Sequence, residues 1–394
     1  MRILHVAYIY PPELRVADGI TNVVYNITKE LAKRGHKVTV YTSNLCNLHG
    51  YELLPSGHHL INGVDVFHFG SLLKYKTFIF TPSIVKLLIR NMDQFDLIHI
   101  HDARSFQGIS TYLFGKIKKV PYVYQPHGSY KTSLSEPISL KISKLVLDGL
   151  VSSRIFKNAS KVIALSGVEA EQYRRMGLPR EKIAIIPNGI DLSEYAVLPP
   201  KGSFKKKFNI PEDKKIILYL GRIHRTKGID LLVRAYAHLI NEMKWKDVIL
   251  VIAGPDDGYL EEAKLLSTSL GVADSVLFTG FISREDKLGA LVDADVFVTP
   301  SFYGFPMTFL EACAVGTPII TTSLGDRLEW IDGKVGYVTQ PTLQDLAEAI
   351  YKIISDEELR EKISRNCIKT VKSNFSIEKV VEKLEKVYEE VVEA

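Results

Sequence analysis

Leu218-Tyr219-Leu220-Gly221-Arg222-Ile223-His224-Arg225-Thr226-Lys227-Gly228 is the stretch on which the reading of this chain turns. It closes the short apolar run Ile216–Leu220 and leads into a helical-length segment, Asp230–Asn241. A strand, a glycine-bearing loop and a helix in that order form a crossover unit, the building block of a parallel α/β sheet. The loop delivers Arg222 and Lys227 to the start of a helix, where backbone N–H groups and the helix dipole favour an anion. Arg grips phosphate oxygens with a two-pronged fork and Lys adds a compact charge, so the pair suits a diphosphate. A solvated basic turn fits the same spacing. It is not a Walker loop, because Thr226 rather than Gly precedes Lys227.

Downstream the rhythm continues through the runs Val248–Ala253, Val276–Thr279, Val296–Thr299 and Ile319–Thr321, separated by helical stretches such as Tyr259–Leu270. Upstream it breaks at Ile186-Pro187-Asn188-Gly189-Ile190-Asp191 and at Leu198-Pro199-Pro200-Lys201-Gly202, where turn residues cluster. Before the break lies another series, Ile3–Tyr8, Val38–Thr42, Leu97–His101, Tyr122–Tyr124 and Val162–Leu165. Its first helix carries Ile20, Val23, Ile27 and Leu31 on one stripe and stops at Gly35, which puts Gly19 at the helix entrance. The pattern predicts two doubly wound α/β domains, residues 1–195 and 196–375. Residues 376–394, with Val380, Leu384, Val387 and Val391 at core spacing, are expected to form a helix packing back on the first domain.

At 394 residues, 46% hydrophobic and 24% charged, the chain can bury two cores. Cys46, Cys313 and Cys367 form no Cys-x-x-Cys pair, which disfavours a disulfide framework or zinc ribbon. No apolar run reaches the roughly 20 residues needed to span a bilayer, and no secretory h-region follows Met1. A soluble, cytoplasmic protein is the expectation. A net charge of +5 is mild; the clusters at Lys116–Lys119 and Lys205–Lys207 read as solvated charge, with peripheral contact to anionic lipid as the alternative and no nucleic-acid partner expected.

A second cluster is Thr299-Pro300-Ser301-Phe302-Tyr303-Gly304-Phe305-Pro306-Met307-Thr308-Phe309-Leu310-Glu311-Ala312. It joins a buried strand to a new helix, so the Met307 and Thr308 amides are donors at a positive helix end. Glu311 lies among apolar residues, where a carboxylate needs hydrogen bonds. Ribose hydroxyls would supply them, or the carboxylate braces neighbouring backbone.

In order and over essentially the whole length, the chain resembles the family-4 retaining glycosyltransferases of the GT-B fold, in which two Rossmann-like domains face each other across a cleft. The resemblance rests on the early glycine-containing loop, His127-Gly128, Pro187-Asn188-Gly189-Ile190-Asp191, the Gly-Arg to Lys-Gly loop and the Pro-Ser to Leu-Glu-Ala run. It implies transfer of a sugar from a nucleoside diphosphate sugar, such as a UDP-sugar or GDP-mannose, to a hydroxyl of a glycan or lipid-linked acceptor, without metal or other cofactor. Arg222 and Lys227 would neutralise the diphosphate and Glu311 would hold the ribose. Met307 and Thr308 would lie near sugar or phosphates, with Tyr303 and Phe305 in the same donor loop. Gly19 would admit the diphosphate without a Cβ clash, His127 would sit beside the transferred sugar, and Phe281 and Ile282 would hold the base.

The family usually carries two glutamates eight positions apart; here Tyr303 takes the earlier position and Pro306 replaces a glycine. Tyr303 can donate a hydrogen bond but offers no carboxylate charge at neutral pH. The departures leave open an altered donor sugar, weaker turnover, or a nucleotide-sugar-binding protein that does not catalyse. Hydride transfer is disfavoured, since no Gly-x-Gly-x-x-Gly occurs. His99, His101 and Asp102 suit either metal ligation or acceptor contacts at a strand end, and Asp293-Ala294-Asp295 reads as a helix-to-strand turn.

Overall fold

A computed structural model describes residues 1–10, 19–46, 52–75, 78–102, 104–128, 152–301, 305–323 and 328–394, the side chain of Tyr75 excepted. The chain divides into two compact units, Met1–Ile190 with Ile377–Ala394, and Asp191–Ser376.

In the first unit the strands are β1 (Arg2–Val6), β2 (Lys37–Ser43), β3 (Gly57–Ile61), β4 (Val64–Phe69), the hairpin β5 (Leu73–Tyr75) and β6 (Phe78–Phe80), β7 (Leu97–His101), β8 (Tyr122–Gln125), β9 (Lys161–Ala164) and β10 (Ile183–Ile185). Apart from the hairpin they form one sheet in the order β10-β9-β8-β7-β1-β2-β4-β3, parallel throughout except for β3 at its edge. Strands covered on both faces read as continuous apolar runs. Ile3, Leu4, Val6, Leu97, Ile98 and Ile100 are fully buried. The helix Gly19–Lys33 turns Val23, Ile27 and Leu31 inward, and Gly35 ends it with a positive φ of 92°.

The C-terminal helix, Ile377–Glu393, belongs to this unit and buries Val380, Leu384, Val387 and Val391. It is pinned at its middle by Glu385, which accepts from Arg34 at 2.8 Å and meets His36 at 3.0 Å. Its return crosses the outgoing chain closely. A Cβ on Gly189 would lie 3.1 Å from the Ile377 Cα, and Ile377 N–H donates to the Ile190 carbonyl at 2.9 Å.

The second unit contains β11 (Lys215–Leu220), β12 (Val248–Ala253), β13 (Val276–Gly280), β14 (Val296–Thr299), β15 (Ile319–Thr322) and β16 (Gly336–Thr339). They form an all-parallel sheet ordered β13-β12-β11-β14-β15-β16. Counted from its first strand this is the doubly wound order 3-2-1-4-5-6, whose direction reverses between the first and fourth strands. The first unit reverses in the same way between β1 and β7. Ligands of such sheets bind beyond the carboxyl ends of the strands that flank the reversal.

Two basic or acidic clusters have structural work within this unit. Asp293 accepts from the backbone N–H groups of Gly202, Phe204 and Lys205, and Asp295 from that of Ile216. Lys205 donates to the carbonyls of Glu212 and Lys214, and Lys207 pairs with Asp286. No helix among the described residues is long and apolar enough to cross a membrane.

Candidate functional site

In the second unit β11 and β14 flank the reversal, and both sequence motifs emerge there. Gly221, at φ 155°, turns the chain out of β11, and its N–H donates to Ala253 at the end of β12. The backbones approach so closely that a Cβ on Gly254 would fall 1.9 Å from the Gly221 carbonyl oxygen. Arg222 follows, exposed, with its guanidinium 2.6 Å from Asp257. His224 caps the next turn, accepting from the Thr226 N–H at 3.2 Å. Lys227 is half-buried, and burial first, then the charge of Arg222, pushes its pKa down. The charge of Asp257 acts on both cations.

Gly228, at φ 70°, opens the helix Ile229–Asn241. A Cβ there would lie 2.9 Å from Pro300 and 3.5 Å from Ser301. Its absence lets the loop after β11 rest on the loop after β14. The helix Met307–Ala314 starts just beyond, with Met307 and Thr308 in its first turn, where amides have no intrahelical acceptor. Phe305 packs against Trp330 with ring centroids 5.6 Å apart and against Phe375 at 5.5 Å. Glu311 is buried and accepts from the Lys287 ammonium at 2.7 Å. The Tyr195 phenol shares this carboxylate, and burial followed by the Glu311 charge drives its pKa well up. Phe281 follows the positive-φ Gly280 at the end of β13 and is 68% exposed, with Ile282 half-buried beside it.

In the first unit the strands at the reversal bring histidines together. His5 of β1 pairs in register with His99 of β7, and His101 lies on the same face two residues on. All three are fully buried. Burial is the leading cause that drives His5 down to about 3 and His99 and His101 well below the ordinary histidine value. His5 Nδ1 is 2.9 Å from His101 Nε2, His101 Nδ1 is 3.0 Å from His127 Nε2, and His99 Nδ1 is 2.6 Å from the Tyr388 hydroxyl. His127 holds a left-handed φ of 52°, followed by Gly128 at 77°. Glu169 braces that turn: its carboxylate accepts from the N–H groups of Gly128 at 2.9 Å and Leu165 at 2.6 Å, and from the Tyr173 hydroxyl at 2.6 Å.

Two family models match in sequence along this geometry: Glycosyltransferase Family 4 over residues 17–194 and Glycosyl transferases group 1 over residues 200–370. The chain belongs to the family-4 glycosyltransferases. It is 29% identical to an uncharacterized glycosyltransferase of Methanocaldococcus jannaschii, covering 98% of each chain. It is 28% identical to the D-inositol 3-phosphate glycosyltransferase of Corynebacterium jeikeium, covering 98% of this chain and 95% of that one. Its fold matches Anabaena HepE in complex with UDP and glucose, with a TM-score of 0.73 at 19% identity over 99% and 100% of the two chains. The architecture is GT-B, with two Rossmann-like units.

The motif residues of this glycosyltransferase fall into two groups. Within the second unit the fold gathers Arg222, Lys227, Met307, Thr308 and Glu311 around the loops that leave β11 and β14, and Phe281 and Ile282 leave β13. Within the first, His127 leaves β8, and Gly19, exposed and with no atom of the described residues within 4 Å of where a Cβ would lie, opens its helix. Tyr303 and Asp18 lie outside the described residues. His99 and His101 are core residues and offer an acceptor no exposed surface.

Sequence reasoning missed the partners. Asp257, Lys287 and Tyr195 sit 35, 24 and 116 residues from the groups they serve, and no local spacing announces them. Glu169 had a signal, since Ser166 and Glu169 have capping-box spacing and Ser166 does accept from the Glu169 N–H. His5 was legible only through strand register.

Proposed function

We propose that this glycosyltransferase moves a sugar from a nucleoside diphosphate sugar to a hydroxyl of a glycan or lipid-linked acceptor, with retention of anomeric configuration and without a metal at the diphosphate. The observation that carries the reading is the placement of Arg222 and Lys227 at the helix entrance beside the reversal of the second sheet, where Gly228 lets that loop lie against Pro300 and Ser301. A diphosphate there takes over from Asp257 as the partner of Arg222, and its charge favours the protonated Lys227 that burial opposes. Glu311 is poised for the ribose with its carboxylate oriented by Lys287, Phe281 offers an exposed ring to the base, and the Met307 and Thr308 amides serve phosphate or sugar oxygens. His127 contacts the transferred sugar. The UDP in the HepE complex supports a nucleotide donor of this class.

The reaction needs little from the protein beyond position and charge. The donor's departing phosphate accepts the acceptor hydroxyl's proton on the face where the new bond forms, and the cationic loop stabilises the charge that develops on it. Peripheral contact with anionic lipid is supported by the helix Phe106–Lys118, which exposes Leu113 and Ile117 beside Lys116 and Lys118.

The test is a panel of UDP-, GDP- and ADP-sugars with glycan and lipid-linked acceptors, with the product anomer assigned by NMR. Retained configuration in a transferred product is expected. Inversion contradicts the mechanism, and donor binding without transfer to any acceptor favours a binding protein. Tyr303→Glu restores the charge usual in the family and is expected to shift the preferred donor sugar.

A further inference from the structure

Two ring-to-ring hydrogen bonds join three histidines of the first unit and admit only one arrangement of protons at low cost. Each nitrogen pair, His5 Nδ1 with His101 Nε2 and His101 Nδ1 with His127 Nε2, needs one N–H and one lone pair. A neutral imidazole has a single N–H. The choice at one ring therefore fixes the next: the protons sit on Nδ1 of all three rings, or on Nε2 of all three.

The two states differ at both ends. With protons on Nε2, the His5 Nε2–H is buried with no acceptor among the described residues; with protons on Nδ1, only a lone pair is left there. A buried N–H without a partner is the rarer and costlier fault.

We propose that the buried end of this chain of histidines fixes His127 as the Nδ1–H tautomer, so that His127 meets the donor as a hydrogen-bond donor and never as a general base. His101 is the positioning residue, and the left-handed φ of 52° at His127, costly for a residue with a side chain, is the geometry that keeps its Nε2 on His101. The Glu169 brace on Gly128 holds the same turn from the other side. The depressed pKa values of the four rings agree with the neutral state that the argument requires. The consequence for chemistry rests on the proposed contact between His127 and the sugar: an N–H there can bind a sugar hydroxyl or phosphate oxygen but cannot take the acceptor's proton, which leaves that proton to the departing phosphate.

The test is histidine-selective isotope labelling of the full chain at neutral pH, with tautomers read from two-bond nitrogen–proton NMR correlations and the His127 signal identified by its loss in His127→Gln. The expected spectrum has His127 protonated at Nδ1 and bare at Nε2, the reverse of the tautomer that a free histidine side chain prefers. In His101→Phe the proton is expected to move to Nε2; in His5→Phe it is expected to stay on Nδ1, because a lone pair again replaces the lost partner. An Nε2–H or imidazolium form of His127 in the unmodified chain overturns the proposal, and that spectrum decides the matter even if the variants do not fold. Stoichiometric zinc in the purified protein overturns it too. One nitrogen each of His5, His99 and His101 lies within 4.8 Å of the others, and a shared metal would consume the lone pairs on which the tautomer depends. The spectrum is recorded without donor, so a failure of sugar transfer counts against the proposed reaction and not against the tautomer.

Discussion

In the first unit the strands flanking the reversal, β1 and β7, place His5, His99 and His101 in the core as neutral rings, whereas in the second β11 and β14 hand over to loops carrying Arg222, Lys227 and, from beyond β12, Asp257 toward the surface. One strand order thus supports two opposite electrostatic solutions. The sheet decides where side chains converge, and the side chains alone decide whether charge is excluded or collected. Neutral hydrogen-bonded rings suit the proposed contact with an uncharged sugar; the cationic loop suits the proposed diphosphate.

Acid separates the two halves most strongly. The folded pKa of His5 is lowered from 6.5 to about 3, so its contribution to stability is fully present above about pH 6.5 and is lost as the pH falls toward 3. The slope is about 1.4 kcal/mol per pH unit for this one ring. The first unit is therefore expected to unfold first on acidification, monitored by hydrogen exchange of β1 and β7. Earlier loss of β11 and β14 would break the contrast.

Gly254→Ala strikes the other half. Its φ of 148° and the 1.9 Å approach of a Cβ to Gly221 leave no room for the methyl, and a loss of roughly 3 kcal/mol, read as a lowered Tm, is expected with nucleotide binding lost alongside. A neutral substitution would mean that the turn into Arg222 is not built as described. Glu169→Gln weakens a carboxylate that accepts three hydrogen bonds, at about 2 kcal/mol. Disturbance confined to the His127 turn would sharpen the view that this turn is held by the buried Glu169 carboxylate. Tyr388→Phe is the mildest change, about 1 kcal/mol in chemical denaturation for the lost 2.6 Å bond to His99, with nucleotide affinity unchanged.

Much of the fold was legible because its signals are local. Ile3, Leu4 and Val6, or Ile216 through Leu220, are apolar runs that only a strand covered on both faces explains, and Val380, Leu384, Val387 and Val391 declared a stripe that needed a surface. Arg222 and Lys227 stood out because they lie between a strand end and a helix start, and Glu311 because it is a carboxylate among apolar residues. Their partners did not. Lys287 reaches Glu311 across 24 residues, and His5 reaches His101 across 96, through register that a single sequence does not encode locally. The alternation of His99 and His101 was visible, but whether that face is core or surface depends on the strands and the C-terminal helix packed over it. Strand β4 alternates, with Val64 and Val66 buried about Asp65, whereas β3 and β10 lacked a signal of their own. β3 and β10 lie at the sheet edges, and β3 and the middle of β10 alternate or stay partly exposed.

Titration calorimetry of nucleoside diphosphates, UDP, GDP and ADP in turn, against the unmodified chain and against Arg222→Ala and Lys227→Ala tests the central claim most directly. The account predicts that at least one nucleotide binds and that each variant weakens it by about 1.5 to 3 kcal/mol, the worth of a charge-assisted hydrogen bond. Equal affinity for all three proteins would contradict it.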